Sequence, residues 1–513
     1  MGLRPGVTAF LEEAVRAGLE GGSVVFVAPP GYCTGACGPE FYRRLSASAG
    51  PARLVHVASP GVGLEGLAAL YRSRLGSTAS VGLRLSMAGL PGESLLLASD
   101  VVVAGLDSLA YEALGLRAGH YEVPRAHLAS AFVLLDEAHA AARGVGGPGA
   151  AGAAVGLAAG LGAPVAVVSS TYPAWALEAL GGSSAAVVVA GSPSGCWLPE
   201  LPGGSRLVVV DDDEYFEWAG SVTWRFEALG GRADAALLAA ELAEEGLRVY
   251  VAAGGPWEAA EIGAVVESAL GGGVAVVHGG MTLRERLEAA AGLDSARVVV
   301  GDGTELALEF EADVLVAAAP GLPGGELDLE GLIARVGRVC RGLGRCACYE
   351  ATVYLYGPGA REASRVLEGV NPRLPCTLRP RDRPRRVRPL PRQGSPEDLC
   401  SILGDEVLVP VVVAPRGWSL RDGVEPLVEA VERGDYALVK ASSALRGIPG
   451  ARLVTFGESL AVLAAAINWE AWGHPAGVGY GLEIASPAIL ESCRSLARAH
   501  AQHGVAALVA RRD

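Results

Sequence analysis

Short apolar runs rich in valine recur through the first part of the chain, at residues 24–28, 54–58, 101–104, 133–135, 165–169 and 187–190. Their length suits strands. The absence of polar alternation marks strands covered on both faces, as in a parallel sheet flanked by helices. Segments rich in Ala, Leu and Glu separate them and read as those helices. The same grammar restarts after about residue 223, with strands predicted at 249–252, 274–278, 296–300 and 314–317 and helices at 233–245 and 258–269. No sequence repeat relates the two stretches, so they are alike in architecture only.

The texture changes at 373–392 to RLPCTLRPRDRPRRVRPLPR. Proline at this density removes backbone donors and fixes φ, so neither a helix nor an interior strand survives there. This is a linker or an ordered strap. Beyond it, strands are predicted at 407–413 and 438–441 and helices at 458–472 and 487–503. The expected division is a first domain at 1–222, a second at 223–365, an Arg/Pro linker at 366–395 and a small accessory domain at 396–513.

A chain of 513 residues, half of them hydrophobic, can bury several cores. Its net charge of −14 argues against a protein that coats nucleic acid indiscriminately, but leaves room for a local basic track. Positive charge is carried by arginine, since Lys440 is the only lysine. The nine cysteines are scattered, which in a chain of this size points to a reducing compartment, the cytoplasm. The first 22 residues lack an uninterrupted apolar signal core, so no export is implied. From 144 to 177 there is no charge, a length that could span a bilayer. Gly147, Pro148, Gly149 and Pro164 break that run, which reads instead as a buried helix at 150–161 followed by a strand at 165–169, with no membrane partner.

The most informative motif is Phe132-Val133-Leu134-Leu135-Asp136-Glu137-Ala138-His139. At the C-terminal edge of a parallel sheet its two carboxylates project into the crevice where ligands bind. In a nucleotide hydrolase the first carboxylate holds Mg²⁺ through water and the second polarises the attacking water. A strand followed by an N-capped helix would supply the same acidic pair without chemistry. Weaker motifs surround it in order. Val24 to Tyr32 is a strand running into a Gly/Pro turn, with Ala28, Pro29, Gly31, Tyr32, Cys33, Thr34 and Gly35 as candidate nucleotide contacts. Val101 to Ser108 is a strand ending in Asp107 and Ser108, and Ser169-Ser170-Thr171 closes another strand. In the second half, Val276 to Arg286 carries His278, and Leu332 to Arg341 carries Arg335, Arg338 and Arg341. Arginines at that spacing can neutralise charge developing on a γ-phosphate.

Taken together, Ala-Pro-x-Gly-Tyr at 28–32, Leu-Leu-Asp-Glu-Ala-His at 134–139 and Leu-Ile-x-Arg-Val-Gly-Arg-Val-x-Arg at 332–341 resemble the CRISPR-associated superfamily 2 helicase of type I interference systems, over roughly residues 20–345. The resemblance implies a DEAH-box helicase core of two tandem RecA-like parallel-sheet α/β domains plus a small C-terminal accessory domain. It implies ATP and Mg²⁺ as cofactors, with Asp136 holding the metal through water. It implies catalytic roles for Asp136, Glu137, Arg338 and Arg341, and coupling of hydrolysis to strand movement by Ser169, Ser170, Thr171 and His139. Asp107, Ser108, His278 and Arg335 would contact nucleic acid. The chain has no His-Asp dipeptide and no room for a fused HD nuclease. It is therefore similar to the stand-alone helicase arm, which would join an RNA-guided effector complex, engage displaced single-stranded DNA and feed a separate nuclease.

The chain departs from this pattern in the phosphate loop, where the family reads Ala-Pro-Thr-Gly-x-Gly-Lys-Thr. Thr34 stands for the lysine and Gly35 for the hydroxyl residue that ligates Mg²⁺. Ala334 replaces the leading Gln of the arginine motif, and Ala317 to Ala319 lack the usual Thr. A slow ATPase, in which a backbone nest and arginines compensate, competes with a silent nucleic-acid-binding or assembly subunit. A general superfamily 2 repair helicase shares every motif.

Cys33 and Cys37, and Cys346 and Cys348, lack the spacing of a zinc site and read as buried structural thiols. His56 and His278 read as buried or loop-anchoring, and Trp418, Trp469 and Trp472 as core. The Arg/Pro strap either tracks phosphates or is a solvated spacer. Changing Arg383, Arg385, Arg386 and Arg388 to Ser separates these: a phosphate track loses about 0.7–0.9 in the log–log salt slope of DNA binding per arginine, whereas a spacer leaves the slope unchanged.

Overall fold

The computed structural model describes residues 3–32, 37–50, 52–58, 63–84, 97, 99–114, 122–138, 147–180, 185–191, 201, 205–303, 305, 310–319, 332, 335–340, 350–373, 408–414, 426, 429–430, 433–440, 451–454 and 508–512. Eight strands form the first sheet: β1 (Ser23–Val27), β2 (Leu54–Ala58), β3 (Val81–Arg84), β4 (Val101–Gly105), β5 (Phe132–Leu135), β6 (Val165–Ser169), β7 (Ala185–Ala190) and β8 (Arg206–Val210). All are parallel, in the order β3-β4-β2-β5-β6-β1-β7-β8. Alternate residues feed two cores. Val25, Val55, Val133 and Val167 face one. Val24, Leu54, Phe132 and Leu134 face the other, with the helices Pro5–Glu20, Cys37–Ala49 and Leu64–Leu75. Burial on both faces is what the unbroken valine runs require.

Helix Pro5–Glu20 shows how local sequence and packing agree. Proline sits at its first turn and Gly21 ends it at φ 73°. Val7, Phe10, Leu11, Ala14 and Ala17 form its buried stripe, and Phe10 stacks on Phe26 with ring centroids 4.8 Å apart.

The second sheet comprises β9 (Thr223–Ala228), β10 (Val249–Ala252), β11 (Val274–Val277), β12 (Val298–Gly301), β13 (Val314–Ala318) and β14 (Glu350–Tyr356). These strands are also parallel, in the order β11-β12-β10-β13-β14-β9. Helix Ala360–Leu367 closes this unit, with Leu367 buried in its core. Arg373, at the start of the predicted strap, is itself buried. Its guanidinium lies 4.8 Å from the Trp218 ring centroid and donates to the Val339 carbonyl. A third sheet of β15 (Leu408–Ala414), β16 (Tyr436–Lys440), β17 (Ala451–Val454) and β18 (Leu508–Arg512) has the order β16-β15-β18-β17, with β15 and β18 parallel and the outer pairs antiparallel. The helices expected at 458–472 and 487–503, the strap from 374 onward and Trp418, Trp469 and Trp472 lie outside the described residues.

All twelve strands predicted from apolar runs are present, ten of them in the two large sheets. The four missed in the two large sheets are β3, β8, β9 and β14; three of these are edge strands and β14 lies beside one. Edge strands meet solvent: β9 has one buried position and its polar residues break any apolar run, while β8 has only exposed and half-buried positions although 207–210 is apolar. The uncharged stretch resolves into helix Gly147–Gly160, β6 and helix Ala174–Ala179; among the described residues no helix is long and apolar enough to cross a membrane. One reading is corrected. Cys37 and Cys340 are each disulfide-bonded, not free thiols. Disulfide formation depends on which segments the fold brings together, which spacing along the chain does not report.

Polar contacts join the units. Arg286 pairs with Glu65 at 2.7 Å, both largely buried, linking helix Leu283–Ala291 of the second unit to helix Leu64–Leu75 of the first. Arg284 pairs with Asp435 at 2.8 Å, and its backbone N–H donates to the Gly434 carbonyl just before β16. Within the first unit, Arg84 and Glu112 form an ion pair at 3.0 Å with essentially no exposure of either side chain. Glu112→Ala is expected to cost about 3–5 kcal/mol in denaturant unfolding, because it removes the carboxylate paired with a buried guanidinium. The double change of Arg84 to Met and Glu112 to Leu is expected to cost less than the single one.

Candidate nucleotide site

The chemistry-bearing residues of the first unit collect at the C-terminal ends of its strands. Beyond β5, the Asp136 backbone N–H donates to the Val57 carbonyl at 2.9 Å, extending the pairing with β2. The Asp136 side chain is one-third exposed, and its Oδ1 accepts the Glu137 N–H at 2.8 Å. Glu137 has φ 50°, a left-handed conformation that costs a non-glycine residue about 1–2 kcal/mol. Such strain persists where surrounding packing over-determines it, and functional turns are its commonest home.

β1 and the serine turn are tied together at the same edge. The Ala28 N–H donates to the Ser169 carbonyl at 3.1 Å, and the Thr171 N–H donates to Ser169 Oγ at 3.3 Å. Ser169, Ser170 and Thr171 are all buried. After Pro29, Gly31 at φ 78° turns the chain, and the Tyr32 N–H closes the turn on the Pro29 carbonyl at 3.0 Å. Tyr32 does not line an open cleft. Its ring packs against Phe26, Tyr215 and Phe216, while its hydroxyl donates to Asp212 at 2.7 Å and accepts the Gly6 N–H at 3.0 Å. Burial, reinforced by Asp212, holds that phenol protonated far above its usual range. Cys33, Thr34, Gly35, His139 and Arg341 lie outside the described residues.

Asp107 and Ser108, expected at the nucleic-acid backbone, are fully buried, with the Ser108 hydroxyl on the Arg84 carbonyl at 3.4 Å. They stand in the first turn of helix Leu106–Ala113, every residue of which is buried. The sequence expectation assumed an exposed turn after β4, whereas the helix begins directly at the strand end.

On the second sheet, Arg335 reaches the carbonyls of Ala253 and Asp302, both at 3.4 Å, at the C-terminal ends of β10 and β12. Arg338 is buried with its guanidinium 5.6 Å from the Phe310 ring centroid. His278, just past β11, accepts the Gly280 N–H at 3.1 Å, and burial lowers its pKa against the opposing pull of Asp302.

Sequence reasoning missed Asp302 and Glu305 at this edge. Asp302 accepts the Gly279 N–H at 3.0 Å; Glu305 is fully buried, accepting the Gly303 N–H at 2.7 Å and the Tyr250 hydroxyl. Burial raises the Glu305 pKa, Asp302 adds to the rise, and Arg335 opposes it. The available signal was an apolar strand, β12, running into acids, the same grammar that marks Asp136 and Glu137.

No family model and no curated protein matches the sequence. Among solved structures, Cas3 of T. fusca with ATP superposes over 87% of this chain and 65% of its own, at TM-score 0.53 and 14% identity. The DUF1998 helicase MrfA bound to DNA matches over 70% of this chain and 50% of its own, at TM-score 0.49 and 15% identity. The yeast protein Dbp5 of S. cerevisiae, bound to RNA and ADP BeF3, matches over 72% of this chain and 91% of its own, at TM-score 0.49 and 14% identity. The chain thus spans half the length of MrfA and just under two thirds of that of Cas3. The fold, two parallel-sheet α/β domains in tandem, is shared with that of Cas3.

Glu305 offers a test of the second-domain edge. A carboxyl whose folded pKa is raised contributes most below its unfolded value, near about 4.3, and loses that contribution as pH climbs through the folded value. Glu305→Gln is therefore expected to gain stability relative to the parent as pH rises from about 4 towards 7, in urea titrations at stepped pH. A relative loss over that range would contradict the assignment.

Proposed function

We propose that the chain is an ATP-dependent superfamily 2 helicase or translocase core that moves along single-stranded DNA. The observation that carries this reading is the Asp136–Glu137 pair at the end of β5, with Glu137 in a left-handed conformation and Asp136 partly open to solvent. The Ala28–Ser169 hydrogen bond supports it by joining the phosphate-loop strand to the serine turn. The superposition on Cas3 with ATP agrees with it.

Glu137 would polarise the attacking water and take its proton. Arg338 and Arg341 would neutralise charge developing on the transferred phosphoryl group, and Arg335 would hold the edge of the second sheet around them. Movement of the Ser169–Thr171 turn would pass the loss of the γ-phosphate to the nucleic-acid-binding surface, for which His278 remains a candidate. Asp136 suits Mg²⁺: it is a hard oxygen donor at a ligand-binding sheet edge, and among the described residues no cluster of three or more His, Cys, Asp or Glu offers a protein cage instead. An ion bound through one carboxylate, water and phosphate oxygens matches that donor set, and when bound it supplies charge neutralisation on the phosphates.

By its resemblance to the type I CRISPR helicase, we place the chain beside an RNA-guided effector complex and a separate HD nuclease. A silent DNA-binding or assembly subunit is the second reading, favoured by one specific feature: Thr34 and Gly35 stand where the phosphate-binding lysine and metal-binding hydroxyl belong. Calorimetric titration with ATP·Mg²⁺, followed by phosphate release with and without single-stranded DNA, separates the two. The motor reading expects DNA-stimulated release that falls at least about 100-fold in Glu137→Gln with nucleotide binding retained. Tight DNA binding with no release from the parent protein would leave the silent subunit. Greater stimulation by an effector complex carrying a displaced strand than by free single strands is expected of the interference role; equal stimulation would favour a general repair helicase.

A further inference from the structure

His56 belongs to none of the roles above, yet it lies under Asp136. The register of β2 and β5 pairs His56 with Leu134, and Leu54, Phe132 and Leu134 all face the same core. Asp136 is two residues beyond Leu134, so it continues on the face that His56 shares. The residue of β2 nearest Asp136 is Ala58, whose small side chain leaves the imidazole a diagonal path to the carboxylate. His56 Nε2 comes to 3.5 Å from Asp136 Oδ2, at 1% side-chain exposure, and has no hydrogen-bond partner of its own.

The other ring nitrogen is committed. His56 Nδ1 lies 2.7 Å from the hydroxyl of Tyr71, a buried residue of helix Leu64–Leu75 that meets the imidazole edge-on at 88°. An ionised carboxylate only accepts hydrogen bonds, so the nitrogen facing it carries the proton and Nδ1 accepts from the tyrosine. The chain of donors then runs one way, from Tyr71 O–H to Nδ1 and from Nε2–H to Asp136. Gly38 completes the enclosure. A Cβ at Gly38, in the first turn of the helix that follows the phosphate loop, would stand 2.9 Å from His56 Nδ1 and closer still to the Tyr71 oxygen. The Tyr71–His56 pair is therefore wedged between the phosphate-loop helix and the acidic carboxylate.

We propose that His56 is a positioning residue, oriented by Tyr71, that fixes the Asp136 carboxylate relative to the phosphate-loop helix for binding of a divalent cation with nucleotide. The proposal rests on Asp136 being the metal-holding carboxylate of the proposed ATP site. Its 3.5 Å separation is long for a hydrogen bond, and such bonds at sites without ligand commonly tighten when the ligand arrives. Outer partners of metal-binding carboxylates typically account for about 10–100-fold in metal affinity. His56 touches neither nucleotide nor metal in this scheme, so nucleotide affinity in the absence of metal is untouched.

The test is electron paramagnetic resonance of free Mn²⁺ titrated onto the full-length protein with a non-hydrolysable ATP analogue. It is run on the parent protein and on His56→Ala, His56→Gln and Tyr71→Phe, with metal-free analogue affinity measured in parallel. Nucleotide-dependent Mn²⁺ affinity is expected to fall about 10-fold in His56→Ala and less in Tyr71→Phe. It should recover in His56→Gln, whose amide N–H takes the place of Nε2–H, while metal-free affinity stays level throughout. Unchanged Mn²⁺ affinity in folded His56→Ala would overturn the proposal. Should that variant fail to fold, unchanged affinity in Tyr71→Phe, or no difference between Tyr71→Phe and His56→Gln, would overturn it equally. Absence of nucleotide-dependent Mn²⁺ binding by the parent protein is a separate signature: it defeats the reading of Asp136 and the proposal with it.

Discussion

Burial of both sheets on two faces is the constraint from which the rest of this structure follows. With helices on either side, the flanks of the central strands have no room for a solvated polar group, and an unpaired one there would cost several kcal/mol of the order of about 2–7. Polar side chains that serve chemistry are pushed to the strand ends, where the pairing stops and the crevice opens. Asp136 beyond β5, Ser169 at the end of β6, Asp302 beyond β12 and His278 beyond β11 all sit at such ends. Within the layers, Arg84 is paired with Glu112 and His56 Nδ1 with Tyr71.

The acidic edge and the phosphate loop pull the functional reading in different directions. Around Asp136 and Glu137 the chain retains an unfavourable backbone conformation and a buried imidazole aimed at the carboxylate, neither of which stability alone asks for. In the loop, the charge that would meet the phosphates is missing, and Tyr32 is spent on anchoring the turn to Gly6 and Asp212. Under the proposed reading, rigid anchoring of the turn and a supported acidic carboxylate would preserve the frame of an ATP site in which electrostatic stabilisation must come from elsewhere. In that reading the arginines of the second unit would be the source, since Lys440 is the only lysine.

The two large sheets were legible because their central strands are unbroken valine runs, a pattern that double-sided burial favours. At the edges the signal was uneven: β11 was legible from its apolar run, whereas β9 was not, because solvent-facing polar residues interrupt it. At the site, Asp136 and Glu137 were legible as acids ending an apolar strand. Asp302 and Glu305 follow an apolar strand, β12, in the same way. Asp107 and Ser108 were expected at the surface and are buried, since sequence does not tell whether the residue after a strand opens a loop or enters a helix directly.

What the sequence determined by itself is the alternation of apolar strands and helices, and hence two parallel α/β units with acids at a strand end. Both follow from local periodicity and from the solvation cost of polar atoms. What only the tertiary structure decided is the company each residue keeps. Tyr71 is 15 residues from His56, and Asp136 is 80 residues from it, yet the register of β2 against β5 and the seating of helix Leu64–Leu75 bring the three together. Strand register and helix seating are set by packing across the whole sheet, not by any segment alone, so neither the His56–Asp136 contact nor the Arg286–Glu65 link between the units could be read before the chain was folded.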